Sequence, residues 1–233
     1  FTKDPGLFST EIKLKNEGYK FIKENDAEFC LNSYIKKGKD FIKKLNGNFV
    51  ILIYDLKLNK IIIANDRFGF RIHYYYIHDN RLIFAPEIKA ILQYENFNKE
   101  LDEVGISQYF AFGDFWDNKT FLKRINLLPP ASILIYDGKK LKLENYWKCN
   151  YITDYTKSEK EYVEELVYAL KVSIKRRMEN NLRFGITLSG GLDSRSVLLS
   201  VPTEKRKKLT AFTFGLEDCD EVKIAKKVTN KLG

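Results

Sequence analysis

Short apolar runs broken by polar clusters dominate the first 150 residues of the chain, and apolar residues at helical spacing dominate the remainder. Residues 49–54 form an apolar run that closes on Asp55. The polar residues 55–60 read as a turn, and 61–64 return as a second strand. Asn65-Asp66-Arg67-Phe68-Gly69 is a further turn, read as ion-paired, before a tyrosine-rich strand over 71–77. His78-Asp79-Asn80 predicts a hairpin turn into a strand over 81–85. A short helix is predicted over 87–92. The polar stretch 96–103 leads to another over 107–112. Leu127-Leu128-Pro129-Pro130 must be extended, because each proline restricts the residue before it. Residues 133–136 and 141–143 flank Asp137-Gly138 as a last hairpin.

The pattern changes near residue 151. Ser158-Glu159-Lys160-Glu161 fits a capping box with Ser158 as N-cap and Glu161 at N3. Tyr162, Val163, Leu166, Val167, Leu170 and Ile174 then recur at helical spacing, predicting a helix to about residue 178. Strands over 183–188 and 209–214 alternate with helices over 194–200 and 220–232, which implies a parallel sheet. The expected fold is α+β, an antiparallel sandwich over 1–150, followed by α/β over 151–233. There is no internal repeat and no low-complexity segment.

Composition narrows the function classes. Of 233 residues 44% are hydrophobic, with 17 Phe, as in a folded protein. No apolar run approaches the ~20 residues of a membrane span. Lys3, Asp4 and Glu11 leave no room for the apolar stretch of a secretory signal, and a start at Phe1 suggests a processed or trimmed end. Three cysteines without metal-type spacing point to reduced thiols and a cytoplasmic protein. His73 and His78 are read as ordinary strand or turn residues. The net charge is +9, but lysine is spread along the chain rather than clustered, which argues against a nucleic-acid partner. The densest run, Lys205-Arg206-Lys207-Lys208, is read as a solvated loop.

The chemical signal is Ser189-Gly190-Gly191-Leu192-Asp193-Ser194, placed after a strand and at the start of a helix. Helix N-termini attract phosphate oxygens through unpaired N–H groups and the macrodipole. Gly190 and Gly191 let the backbone approach closely, and Ser189 and Ser194 offer hydroxyl donors. Asp193 would repel a bare phosphate, so its expected task is to hold Mg²⁺ against one. The Gly-Lys-Ser/Thr ending of a Walker A loop is missing.

This hexapeptide resembles the PP-loop of ATP pyrophosphatases, which release AMP and pyrophosphate. The resemblance extends over nearly the whole chain. Asn46-Gly47-Asn48-Phe49, Tyr54-Asp55, Asn65 to Gly69, Tyr74-Tyr75-Tyr76, Phe84-Ala85-Pro86-Glu87-Ile88-Lys89-Ala90, Leu128-Pro129-Pro130 and Tyr146-Trp147 are similar to blocks of glutamine-dependent asparagine synthetases. Gly18-Tyr19-Lys20-Phe21 is similar to a turn near the start of that family's first domain. The tyrosines are expected to pack rather than react.

The resemblance implies a class II glutamine amidotransferase domain over 1–150, of the N-terminal-nucleophile type, and an ATP pyrophosphatase domain over 151–233, each lacking one end. The family's first domain uses a terminal Cys as nucleophile, and Phe1 stands here, so the isolated chain is expected to be inactive with no catalytic residue assigned. Asn25-Asp26-Ala27-Glu28 is similar to a glutamine-binding block, which gives Asp26 the α-amino group of glutamine. The competing reading of Asp26 is a helix N-cap. For ATP and Mg²⁺ the resemblance implies Ser189, Gly190, Gly191, Asp193 and Ser194 at the pyrophosphate and metal, with Leu188, Phe214 and Gly215 beside the adenine; the competing reading of Leu188 and Phe214 is plain core. The parent reaction would adenylate the β-carboxylate of aspartate and displace AMP with ammonia from glutamine. Arg195 departs from a second Ser common in the family and leaves another carboxylate acceptor, or a non-catalytic nucleotide-binding remnant, as alternatives. Expected partners are the small molecules ATP, glutamine and the carboxylate, with no membrane and with a homodimer left open.

Overall fold

The computed structural model describes residue 18 and residues 25–178 and 183–232. Of the block expected over Gly18 to Phe21, residues 19–21 lie outside the described residues. The chain divides into two compact units, Phe1–Asn150 and Tyr151–Gly233.

The described residues of the first unit include helix α1 (Asp26–Lys37) and a 3-10 helix (Gly38–Lys44). The 3-10 helix was not expected, and α1 only through the alternative reading of Asp26 as a helix N-cap, because Phe29, Cys30 and Ser33 are the only buried residues of α1 and give a thin helical pattern. Its N-cap is Asn25, whose side chain accepts the Glu28 N–H at 2.9 Å. The capping role expected as the alternative for Asp26 therefore falls one residue earlier.

Strands β1 (Val50–Asp55), β2 (Lys60–Asn65), β6 (Ser132–Tyr136) and β7 (Leu141–Asn145) form an antiparallel sheet in the order β1-β2-β6-β7. A second antiparallel sheet runs β4-β3-β5, from β4 (Arg81–Ala85), β3 (Tyr74–His78) and β5 (Asn126–Leu127). Period-two alternation sorts their side chains into layers. Ile53, Ile62, Ala64 and Ile133 face α1 and the 3-10 helix, in one cluster with Phe29, Phe41 and Ile42. The intervening residues Ile61, Ile63, Leu134 and Tyr136 meet Tyr75, Ile77, Leu82 and Phe84 of the second sheet. The outer face of that sheet, with Tyr74, Tyr76, Ile83 and Ala85, packs on Ile88 and Ile91 of helix α2 (Ile88–Ile91). The order of layers is helix, sheet, sheet, helix. The three tyrosines pack as expected, and Tyr76 is fully buried.

The hairpin turn at Asp79 and Asn80 has φ of 46° and 57°, the left-handed pair of a type I′ turn. The strand expected from residue 71 starts at Tyr74, where its pairing to Ala85 begins. The helix expected at 107–112 is α3 (Glu103–Phe112), started earlier because Asp102 caps it by accepting the Gly105 N–H at 2.9 Å. The turn at 65–69 is not ion-paired within itself. Asp66 accepts the Phe49 and Phe68 N–H groups, while Arg67 donates to the carbonyls of Leu45 and Lys43.

In the second unit, α4 (Glu159–Arg177) carries the capping box: Ser158 Oγ accepts the Glu161 N–H and Glu161 Oε2 accepts the Ser158 N–H. Of its apolar stripe only Ile174 is buried, and Leu166 is 69% exposed. Strand β8 (Gly185–Thr187), helices α5 (Leu192–Ser200) and α6 (Thr203–Arg206), strand β9 (Thr210–Phe212) and helix α7 (Asp220–Leu232) follow. β8 and β9 pair in parallel, Ile186 opposite Ala211. The run 205–208 is only half a solvated loop. Lys205 donates to the Met178 carbonyl at the end of α4 and Arg206 to those of Leu199 and Val201 at the end of α5, because terminal helix carbonyls need donors. Lys207 and Lys208 are exposed. Among the described residues no helix is long and apolar enough to cross a membrane.

Candidate functional site

The loop 189–194 joins β8 to α5 at the C-terminal end of the parallel pair, where open α/β sheets bind ligands. Leu188 anchors its start. Its N–H donates to the Phe212 carbonyl at 2.8 Å, and its own carbonyl accepts from Thr213 Oγ1 at 2.8 Å. The Leu188 side chain is 1% exposed and packs with Leu198 and Ala225. It is core, so only the backbone of Leu188 can face a nucleotide.

The two loop serines are turned on one another. Their hydroxyl oxygens lie 3.0 Å apart, Ser194 Oγ accepts the Ser189 N–H at 3.1 Å, and Ser189 Oγ accepts the Gly191 N–H at 3.2 Å. The Ser194 hydroxyl can also donate to the carbonyls of Ser189 or Gly191. Each hydroxyl has one proton. If Ser194 donates to a carbonyl, Ser189 spends its proton on Ser194. If Ser194 donates to Ser189, the Ser189 proton is free for a ligand. The pair braces the loop and leaves at most one hydroxyl donor for phosphate.

Gly191 is the N-cap of α5 and has no side chain to satisfy the first-turn N–H groups, which keeps them for an anion. A Cβ on Gly190 would stand 3.0 Å from Ile224 Cδ1 and 3.6 Å from the Glu221 Cα, so α7 closes against this glycine. Asp193 lies in the first turn of α5, and its carboxylate is exposed and engaged by no described residue. One free carboxylate beside backbone donors fits Mg²⁺, which takes one or two carboxylates and fills its shell with phosphate oxygens and water. Among the described residues no group of three His, Cys, Asp or Glu could hold a metal alone.

Phe214 and Gly215 follow β9 on the same side as the loop. Phe214 is 82% exposed, and Gly215 has φ of 146° with Cys219 Sγ only 2.6 Å from where its Cβ would be. Residues 188–194 and 212–215 are thus brought together. Asp26 belongs to the first unit, in the first turn of α1 and close enough to Cys30 to act on its thiol. Burial first, then Asp26, push that thiol up to about 12. The sequence reading missed Thr213, the clasp on Leu188, and the contact of α7 with Gly190. A threonine just past a strand carries no mark of its partner, and only the tertiary position of α7 reveals the second.

Two family models match the chain: the glutamine amidotransferase domain over residues 9–147 and asparagine synthase over residues 165–233. Asparagine synthetase [glutamine-hydrolyzing] 3 of Bacillus subtilis is 28% identical over 91% of this chain and 35% of its own length. A putative asparagine synthetase [glutamine-hydrolyzing] 2 of Methanocaldococcus jannaschii is 33% identical, covering 82% and 38%. Amidase chry2 of Gibberella zeae is 28% identical, covering 77% and 27%. The chain spans about a third of the length of the curated asparagine synthetases it matches.

Proposed function

We propose, for a chain that belongs to the glutamine amidotransferase family and runs on into an asparagine synthase segment, that it is part of an ATP-dependent enzyme which amidates a carboxylate with nitrogen from glutamine. Residues 1–150 handle the glutamine amide, with Asp26 on the α-amino group, and residues 151–233 bind the nucleotide. The observation that carries the reading is the brace of Ser189 and Ser194, which holds open N–H groups at the start of α5 beside the free Asp193 carboxylate.

Pyrophosphate oxygens sit against Gly190, Gly191 and the first turn of α5, and Ser189 adds its one available hydroxyl proton. Asp193 holds Mg²⁺, which when bound neutralises charge on the departing pyrophosphate. Leu188 offers backbone to the adenine, flanked by Phe214 and Gly215. The acceptor is the β-carboxylate of aspartate, which attacks the α-phosphorus of ATP to form its adenylate with release of pyrophosphate; ammonia then attacks the acyl carbon and displaces AMP. A second reading, another carboxylate acceptor, is favoured by Arg195 and by a relative named as an amidase.

Calorimetric titration with pyrophosphate tests the site. Binding in Mg²⁺ is expected, Asp193→Ala should weaken it in Mg²⁺ and matter less in EDTA, and Lys207→Ala with Lys208→Ala should change little. No heat at millimolar pyrophosphate in a folded sample would refute the site.

A further inference from the structure

We propose that Arg195 is an anion-binding residue of this loop, its guanidinium contacting pyrophosphate oxygens alongside the N–H groups at the start of α5. The proposal rests on residues 189–194 being the pyrophosphate site. Helix side chains lean toward the N-terminus, so a long side chain one turn into α5 lies back over the loop. Arg195 does this: its Nε donates to the carbonyl of Gly191, the N-cap, at 3.1 Å. That single bond fixes the guanidinium while spending only one of its five N–H donors. The two terminal amino groups meet no described partner. A planar fork anchored at one corner, with its other donors free at a helix N-terminus, suits the paired oxygens of a phosphate.

Charge points the same way. Asp193 is the only charged side chain within 189–194, and its carboxylate repels phosphate unless a metal intervenes. Arg195 cancels that charge within one turn of helix. Pyrophosphate should therefore keep a charged partner here even without metal, which Asp193 alone cannot provide.

The test is titration of the 233-residue chain with inorganic pyrophosphate, in Mg²⁺ and in EDTA, for wild type, Arg195→Lys, Arg195→Gln and Asp193→Ala. Loss of charge-assisted bonds from Arg195→Gln should weaken binding about tenfold in both buffers and flatten its dependence on salt. Arg195→Lys should recover part of the loss. Asp193→Ala should act mainly in Mg²⁺. Glutamine retains a side-chain donor for the Gly191 carbonyl, so wild-type affinity in Arg195→Gln would show that the arginine only positions the loop and would overturn the proposal. Wild-type protein that binds no pyrophosphate would overturn the site itself, and this inference with it. Each variant's unfolding temperature without ligand confirms that a folded protein is compared, and if Arg195→Gln does not fold, an unchanged affinity in Arg195→Met overturns the proposal equally.

Discussion

A buried amide with every polar atom engaged is expensive to delete, and Asn65 is one such group. Its Nδ2 donates to the Pro129 carbonyl at 2.8 Å and its Oδ1 accepts the Ser132 N–H at 3.0 Å. Asn65→Ala should cost about 2–4 kcal/mol, because the Ser132 N–H and the Pro129 carbonyl lose a buried partner. Urea unfolding measures this, and a loss below about 1 kcal/mol would contradict it. The block from Asn65 to Gly69 stands out in the sequence, but its partners do not. Adjacent opposite charges suggest a pair, whereas the groups they hold come from Phe49 and Leu45, 17 and 22 residues away. Cys30 shows the same gap between presence and environment. Its thiol is buried and pushed up to about 12 from 9.0, so thiolate is scarce at neutral pH. Iodoacetamide at pH 8 should label the exposed Cys149 well before Cys30, read by peptide mass mapping, and equal rates would refute this. The unfolded chain releases the Cys30 proton near pH 9 and the folded one near 12. Its contribution to stability is therefore whole below pH 9 and lost as pH rises through that window.

Among the elements, those announced by periodicity or caps were legible: the hairpins, the α4 capping box and the parallel β8–β9 pair all lie close to their expected positions. α1 was not, because its buried face is short, and neither was the early start of α3, because Asp102 sits in a stretch whose polarity suggests a connector. At the candidate site the loop residues could be read, since glycines and hydroxyls before a helix have a physical reason to be there. The core position of Leu188 could not, because a leucine at a strand end looks the same facing either way. Ser158→Ala removes an N-cap and should cost about 1 kcal/mol, seen as lost helical ellipticity at intermediate denaturant. The two loop glycines should differ. Gly190→Ala meets the tip of Ile224, which can move, while Gly215→Ala combines φ of 146° with the Cys219 sulfur and should destabilise more. Comparing their unfolding midpoints checks the order.

At the scale of the molecule, the two units are unequally supplied with core. Among the described residues the first has three buried clusters across two sheets, while the second has two small ones, built around Ile174, Met178 and Val201 and around Leu188, Leu198 and Ala225. Both tryptophans, Trp116 and Trp147, belong to the first unit, so their fluorescence reports on it alone. Far-ultraviolet dichroism weighs heavily on α4, α5 and α7. The dichroism transition in urea should begin at lower concentration than the fluorescence transition, and coincident curves would show that the units unfold together. The layering of the first unit also decides where this chain can gain or lose length through evolution. Every residue from Ile61 to Ala64 faces one of two different cores, so one inserted codon there would swap the whole strand between helix side and sheet side. The turns 56–59 and 138–140 carry no such assignment, since Leu56 and Leu58 are exposed and Asp137 already gathers the Lys139 and Lys140 N–H groups. Insertions should be survivable in those turns and ruinous a few residues away.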